Sequence, residues 1–150
     1  MEVYERNINA AVSRLDDDHI LTRASLLDLS HNMNIEIKVK ISNKEIVDVE
    51  GNMTKVPFEI CHKTLTLLPG IIGLRIERGI TKKLAEKLGR SSGCTHLFEL
   101  AVAAVRLSAN VMFGFAAGTN EWRERRRLPD KEFIQKVKPI LKNSCLPFKE

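Results

Sequence analysis

Two short stretches of this sequence set a thiol beside an imidazole: Cys61-His62 and Gly93-Cys94-Thr95-His96. Thiolates and imidazoles are the ligands of borderline-soft metals, so three or four of them converging would suit zinc or an iron–sulfur cluster. Neither pair is Cys-x-x-Cys, and no standard zinc motif is matched. On a helix, His62 would point about 100° away from Cys61, so the two cannot easily share one ion. The expected ligand set is therefore Cys61, Cys94 and His96, with His31 as the fourth member. Otherwise no cofactor is expected. Two alternatives stand beside this one. Cys94 could serve a thiol enzyme as nucleophile, activated by a helix N-terminus and His96, although no orienting acid stands at a motif spacing. Or the cysteines are small buried hydrophobes in a structural or protein-interaction domain. Cys145, in the Lys- and Pro-rich tail, is given no role.

The elements that must position these residues differ between the two halves of the chain. Ile8, Ala10 and Val12 alternate with polar or small neighbours, and Asp16-Asp17-Asp18 makes a turn. Residues 20–29 are a second extended segment. After Ser30-His31-Asn32, Ile35, Ile37, Val39 and Ile41 alternate strictly with Glu36, Lys38 and Lys40, the signature of a strand buried on one face. Ser42-Asn43-Lys44 turns the chain into residues 45–50, with Val47 and Val49 expected inward. Strands joined by short connections predict an antiparallel meander of three or four strands.

From Pro57 onward the spacing becomes helical. Phe58, Cys61, Leu65 and Leu68 predict a helix stopped by Pro69-Gly70, and Thr81 is placed to cap another that Gly89 ends. Leu97, Leu100, Ala101, Ala104, Val105, Ser108, Val111, Met112 and Phe115 then predict a central helix apolar on most sides, with Thr95 as N-cap and Glu99 in its first turn. Strands first and helices after them give an α+β fold: one domain over 1–150, with a charged connector at 117–128 and a C-terminal helix at 129–143.

Composition narrows the function classes. With 43% hydrophobic and 29% charged residues the chain has the makings of a folded core. The N-terminus carries no apolar leader, and no stretch is expected to span a membrane. An odd set of three cysteines without a leader points to a cytoplasmic protein with reduced thiols. Arg75, Arg78, Lys82, Lys83, Lys87 and Arg90 form one basic group, and Arg123 with Arg125–Arg127 another. Acids interrupt both, aromatics are only 5%, and no recognisable module is present, so nucleic acid is not an expected partner. Phe113, Phe115 and Trp122 near the end of the central helix predict a homodimer or another protein partner.

Gly73-Leu74-Arg75-Ile76 with Gly79, then Gly93-Cys94-Thr95-His96-Leu97 leading to Glu99-Leu100, resembles the uncharacterised bacterial domain-of-unknown-function family 2889. His31-Asn32-Met33 and Cys61 after Pro57 share in the resemblance, which covers residues 4–115. Asn32 departs from it, standing where an acid is expected. The resemblance implies no established activity. In its order of elements the chain is also similar to the NifU and IscU iron–sulfur scaffolds, where a meander leads to one cysteine and a later cysteine starts a long helix. That likeness implies Cys61 and Cys94 as cluster ligands. Gly51-Asn52-Met53-Thr54 brings no third cysteine, so His31 or His96 would replace it.

Overall fold

The strict alternation around Ile35 does make a strand, and its neighbours pair with it on both sides. The computed structural model describes residues 1, 3–116 and 129–150, and their contacts divide the chain into two compact units, Met1–Ala109 and Asn110–Glu150. In the first, β1 (Arg6–Arg14), β2 (His19–Asp28), β3 (Asn32–Lys40) and β4 (Glu45–Lys55) form one antiparallel sheet in the order β1-β2-β3-β4. This is the α+β architecture expected, with all four strands of the meander present and helices following.

One face of the sheet is the core. Ile20, Thr22, Ala24 and Leu26 of β2 and Met33, Ile35, Ile37 and Val39 of β3 are buried at every second position. In β4 the buried residues are Ile46, Val49 and Met53, not the expected pair Val47 and Val49. The reason is a bulge. Val39 pairs with Ile46 but Lys38 with Asp48, so Val47 is an extra residue that resets the phase of the strand. In β1, Ile8 lies opposite Leu26 yet is 41% exposed, so this edge strand carries apolar side chains without being covered.

Pro57 does not start an α-helix. Residues Glu59–Ile71 wind as 3-10 turns that run through Pro69 and bury Leu68 and Ile71. The Thr64 and Thr66 hydroxyls donate to the carbonyls of Cys61 and Lys63, each three residues back, at 2.7 Å, which suits the tighter i to i+3 winding. The segment after it, which the spacing alone could not type, lies along the edge of β4: Ile46 N donates to Leu74 O and Ile76 N to Lys44 O. Helix α1 (Ile80–Leu88) then buries Leu84 and Leu88. It starts at Ile80 behind Gly79, whose φ of 91° is in the left-handed region, and not behind a Thr81 cap.

Helix α2 (Thr95–Ala116) is the expected central helix. Leu97, Leu100, Ala101, Ala104 and Val105 are buried, and so is Ser108. Phe98 N donates to Cys94 O, so Cys94 and not Thr95 occupies the cap position, and Glu99 lies beyond the first turn. By length and composition alone α2 is long and apolar enough to cross a membrane, which corrects the expectation that no stretch is. Its burial against the sheet is also what a core helix requires. Ser108 donates to Ala104 O at 2.9 Å, which leaves the Thr22 hydroxyl as donor in the 2.6 Å bond between Thr22 and Ser108. His96, twelve residues earlier, meets the far end of β2. Twelve helical residues rise about 18 Å and six strand residues about 20 Å, so α2 runs antiparallel along β2 from residue 28 to residue 22.

The second unit contains helix α3 (Asp130–Leu141), which buries Val137 and leaves Ile134 and Ile140 exposed. A 3-10 turn over Leu146–Phe148 follows. The charged connector and Trp122 lie outside the described residues.

Candidate metal centre

The end of β2 begins the site. Asp28 falls on the buried face of the strand, where alternation asks for an apolar residue, and its side chain has no exposed surface. A carboxylate there must be hydrogen-bonded. Its Oδ1 accepts from Ser30 N at 2.9 Å and His31 N at 2.8 Å, closing an Asx turn, and from His31 Nδ1 at 2.9 Å. Since a carboxylate only accepts, that last bond puts a proton on His31 Nδ1, so Nε2 is the nitrogen His31 would offer a metal.

The other carboxylate oxygen meets β1. The register sets Arg6 opposite Asp28, and Arg6 Nε donates to Oδ2 at 2.9 Å. The same guanidinium reaches α2: Nη2 donates to His96 Nε2 at 3.0 Å and Nη1 to Glu99 Oε2 at 3.1 Å. Since arginine can only donate, Nε2 of His96 is unprotonated. The rings of His31 and His96 lie 3.9 Å apart between centroids.

The electrostatics follow from these contacts. Burial pushes the Asp28 carboxyl up, but hydrogen bonds from His31, Ser30, Tyr4 and Arg6 outweigh it and hold it well below the usual range. His96 is lowered, first by burial and then by His31 and Arg6, with Glu99 and Asp28 opposing. The set thus includes one carboxylate held ionised and, at His96, an imidazole shifted toward its neutral form.

The ligand atoms of Asp28, His31 and His96 all lie within 4.8 Å of one another. An ion with bonds of about 2.1 Å holds tetrahedral donors roughly 3.4 Å apart, so small side-chain rotations would close these three around it. Asp28 can do two things at once, orienting His31 through Oδ1 and offering Oδ2. Arg6 now occupies Oδ2 and Nε2 of His96, and an ion would have to displace it.

His31 and His96, two of the four ligands expected from the sequence, lie together, and Asp28 joins them. Cys61 and Cys94 are half-buried free thiols and are not members of this group. Cys94 is held at the start of α2, where its N–H donates to Leu88 O at 2.7 Å. Gly93 makes that approach possible: a Cβ there would collide with the Leu88 carbonyl group. The glycine of the Gly-Cys-Thr-His stretch thus fixes where α2 begins, and with it where His96 stands. The sequence reading names neither Asp28 nor Arg6 and gives Glu99 no part in the site. The available signal was an acid three residues before a histidine at a strand end, the pattern of an Asx turn.

Comparison with curated proteins and with solved structures gives no match. The model of a family described as "Protein of unknown function (DUF2889)" matches residues 5–109, which contain the whole Asp28–His31–His96 group together with Arg6 and Glu99, and end where the first compact unit ends. The chain belongs to this DUF2889 family.

Proposed function

We propose that the first unit is a metal-binding domain that holds one divalent ion on Asp28, His31 and His96. The observation that carries this reading is the convergence of two imidazoles and a carboxylate from a turn, a helix start and a strand end. Nitrogen and oxygen donors favour zinc, or another borderline first-row ion, over an iron–sulfur cluster, which asks for thiolates. Three protein ligands leave a position open, as in catalytic rather than structural sites. The three free cysteines support a reducing, cytoplasmic setting.

Elemental analysis of protein purified without chelator tests the reading. About one zinc per chain is expected, lost in His96→Gln and in Asp28→Ala and kept in Cys94→Ala. Loss in Cys94→Ala would restore the thiol set, Cys61, Cys94, His96 and His31, that the sequence suggests. A second reading rests on Arg6, whose guanidinium already bonds both Asp28 and His96. Here the arginine is the permanent cation of a structural charge cluster. Protein that neither carries metal nor takes up zinc in calorimetry would favour it.

A further inference from the structure

Three acceptors on two elements converge on one side chain. Asp28 Oδ2, at the end of β2, accepts from Arg6 Nε at 2.9 Å. His96 Nε2 and Glu99 Oε2, one turn apart on α2, accept from Nη2 at 3.0 Å and from Nη1 at 3.1 Å. Every nitrogen of the guanidinium is therefore engaged in this cluster. Two of the acceptors, Asp28 Oδ2 and His96 Nε2, are atoms that the metal-binding reading gives to the ion, whereas Glu99 stands outside the ligand group. The arginine is also placed where it can leave. It is the first residue of the edge strand β1, its side chain keeps 29% of its surface in water, and residues 3–5 before it are exposed.

We propose that Arg6 is a built-in competitor for the metal: its guanidinium caps the ion-free site, and loading exchanges it for the ion. The inference rests on the metal-binding reading and concerns how that same site is regulated. Without a resident cation the buried carboxylate of Asp28 would stand as an uncompensated charge. Arg6 removes that penalty, so the ion-free fold keeps its ligands together. Small structural zinc sites differ, because there the convergence of ligands depends on the metal itself. The bonds that stabilise the capped state must break before the ion binds, and they lower its apparent affinity in proportion. A site built this way gives up its ion when supply falls, since a replacement cation is already attached to the chain. Glu99 keeps the displaced arginine within reach, because its bond to Nη1 uses no atom that the ion needs.

Zinc affinity of the purified chain, measured by competition with a chromophoric chelator, tests the exchange. Arg6→Gln should bind zinc about tenfold more tightly than wild type or better, the scale of one lost charge-assisted hydrogen bond. A second readout needs only wild type and so survives a variant that folds poorly. The Arg6 Nε–H signal in nitrogen-edited proton spectra is protected by Asp28 in metal-free protein. It should lose that protection as zinc is added and regain it with chelator. Zinc binding that is equal or weaker in Arg6→Gln, or an Arg6 Nε–H still protected at saturation, overturns the exchange and leaves the metal site standing. No zinc binding in either wild type or Arg6→Gln overturns both.

Discussion

The imidazole rings of His31 and His96 lie 3.9 Å apart, tilted by 41°, at a place where the chain has brought a strand-end turn against the start of α2. Burial, and then the nearness of His31 and Arg6, lowers the His96 pKa, which favours the neutral imidazole that a metal requires.

The pH dependence of stability follows from His96. Its folded pKa lies below the ordinary 6.5, so the unfolded chain binds the proton more readily. The contribution of His96 is full above 6.5 and is lost as pH falls through the lowered folded value. Urea unfolding of metal-free protein should show a lower midpoint at about pH 5.5 than at about pH 7.5, and His96→Gln should flatten that slope. A midpoint that rises on acidification contradicts the geometry.

Asp28→Asn tests the carboxylate itself. It removes the charge that Arg6 pairs with and turns the Oδ2 acceptor of Arg6 into an amide donor, while the Oδ1 acceptor of the Asx turn is kept. Arg6 keeps 29% of its side-chain surface in water, so the cost is below that of a fully buried pair, about 2–3 kcal/mol. Because the Asp28 pKa is depressed, its contribution is present above the unfolded value of 3.8 and lost as pH falls through the folded one. Wild type and variant should therefore converge in stability in strong acid.

Gly93→Ala should be among the most damaging small substitutions, costing about 2–4 kcal/mol, since backbone and not a flexible side chain stands in its way. Gly70→Ala is the control: its Cβ would meet Lys87 Cδ at 3.8 Å, ordinary contact, and should change stability by about 0.5 kcal/mol or less. Thermal unfolding of the two variants side by side would expose an error if they matched.

The buried hydroxyl pair offers a cycle. Ser108→Ala strands the Thr22 hydroxyl in the core and should cost about 1–3 kcal/mol. Adding Thr22→Val removes the stranded group, and the double variant should recover part of the loss. Additive losses would mean that the two hydroxyls do not depend on each other.

We also propose a homodimer, now on different grounds from the helix end. β1 has a strand partner on one side only among the described residues, and Ile8 is exposed beside that edge. Light scattering at high concentration should give twice 17.0 kDa, and a mass of 17.0 kDa dismisses it.

The meander was legible because Ile35, Ile37 and Val39 obey a period of two with no competing pattern, and α2 because Leu97 through Ser108 obey the helical one. The bulge at Val47 was not, since one extra residue leaves no mark in composition. The winding of Glu59–Ile71 depends on local hydroxyl bonds that spacing does not reveal. In the site, His31 and His96 stood out by residue type. Asp28 and Arg6 did not, because each looks like an ordinary strand residue until the register sets one opposite the other.

That register has a consequence for how the site can be inherited or lost. The pairing of Arg6 with Asp28 is the last rung of a ladder whose first rung is Arg14 with Ile20, closed by the turn at residues 15–18. Strand side chains point to opposite faces in turn, so a slip of one residue in that distant turn would carry Arg6 to the solvent side. One inserted or deleted residue at the hairpin tip would then separate Arg6 from Asp28 while every ligand kept its identity. The length of a surface turn is, in this fold, part of the chemistry.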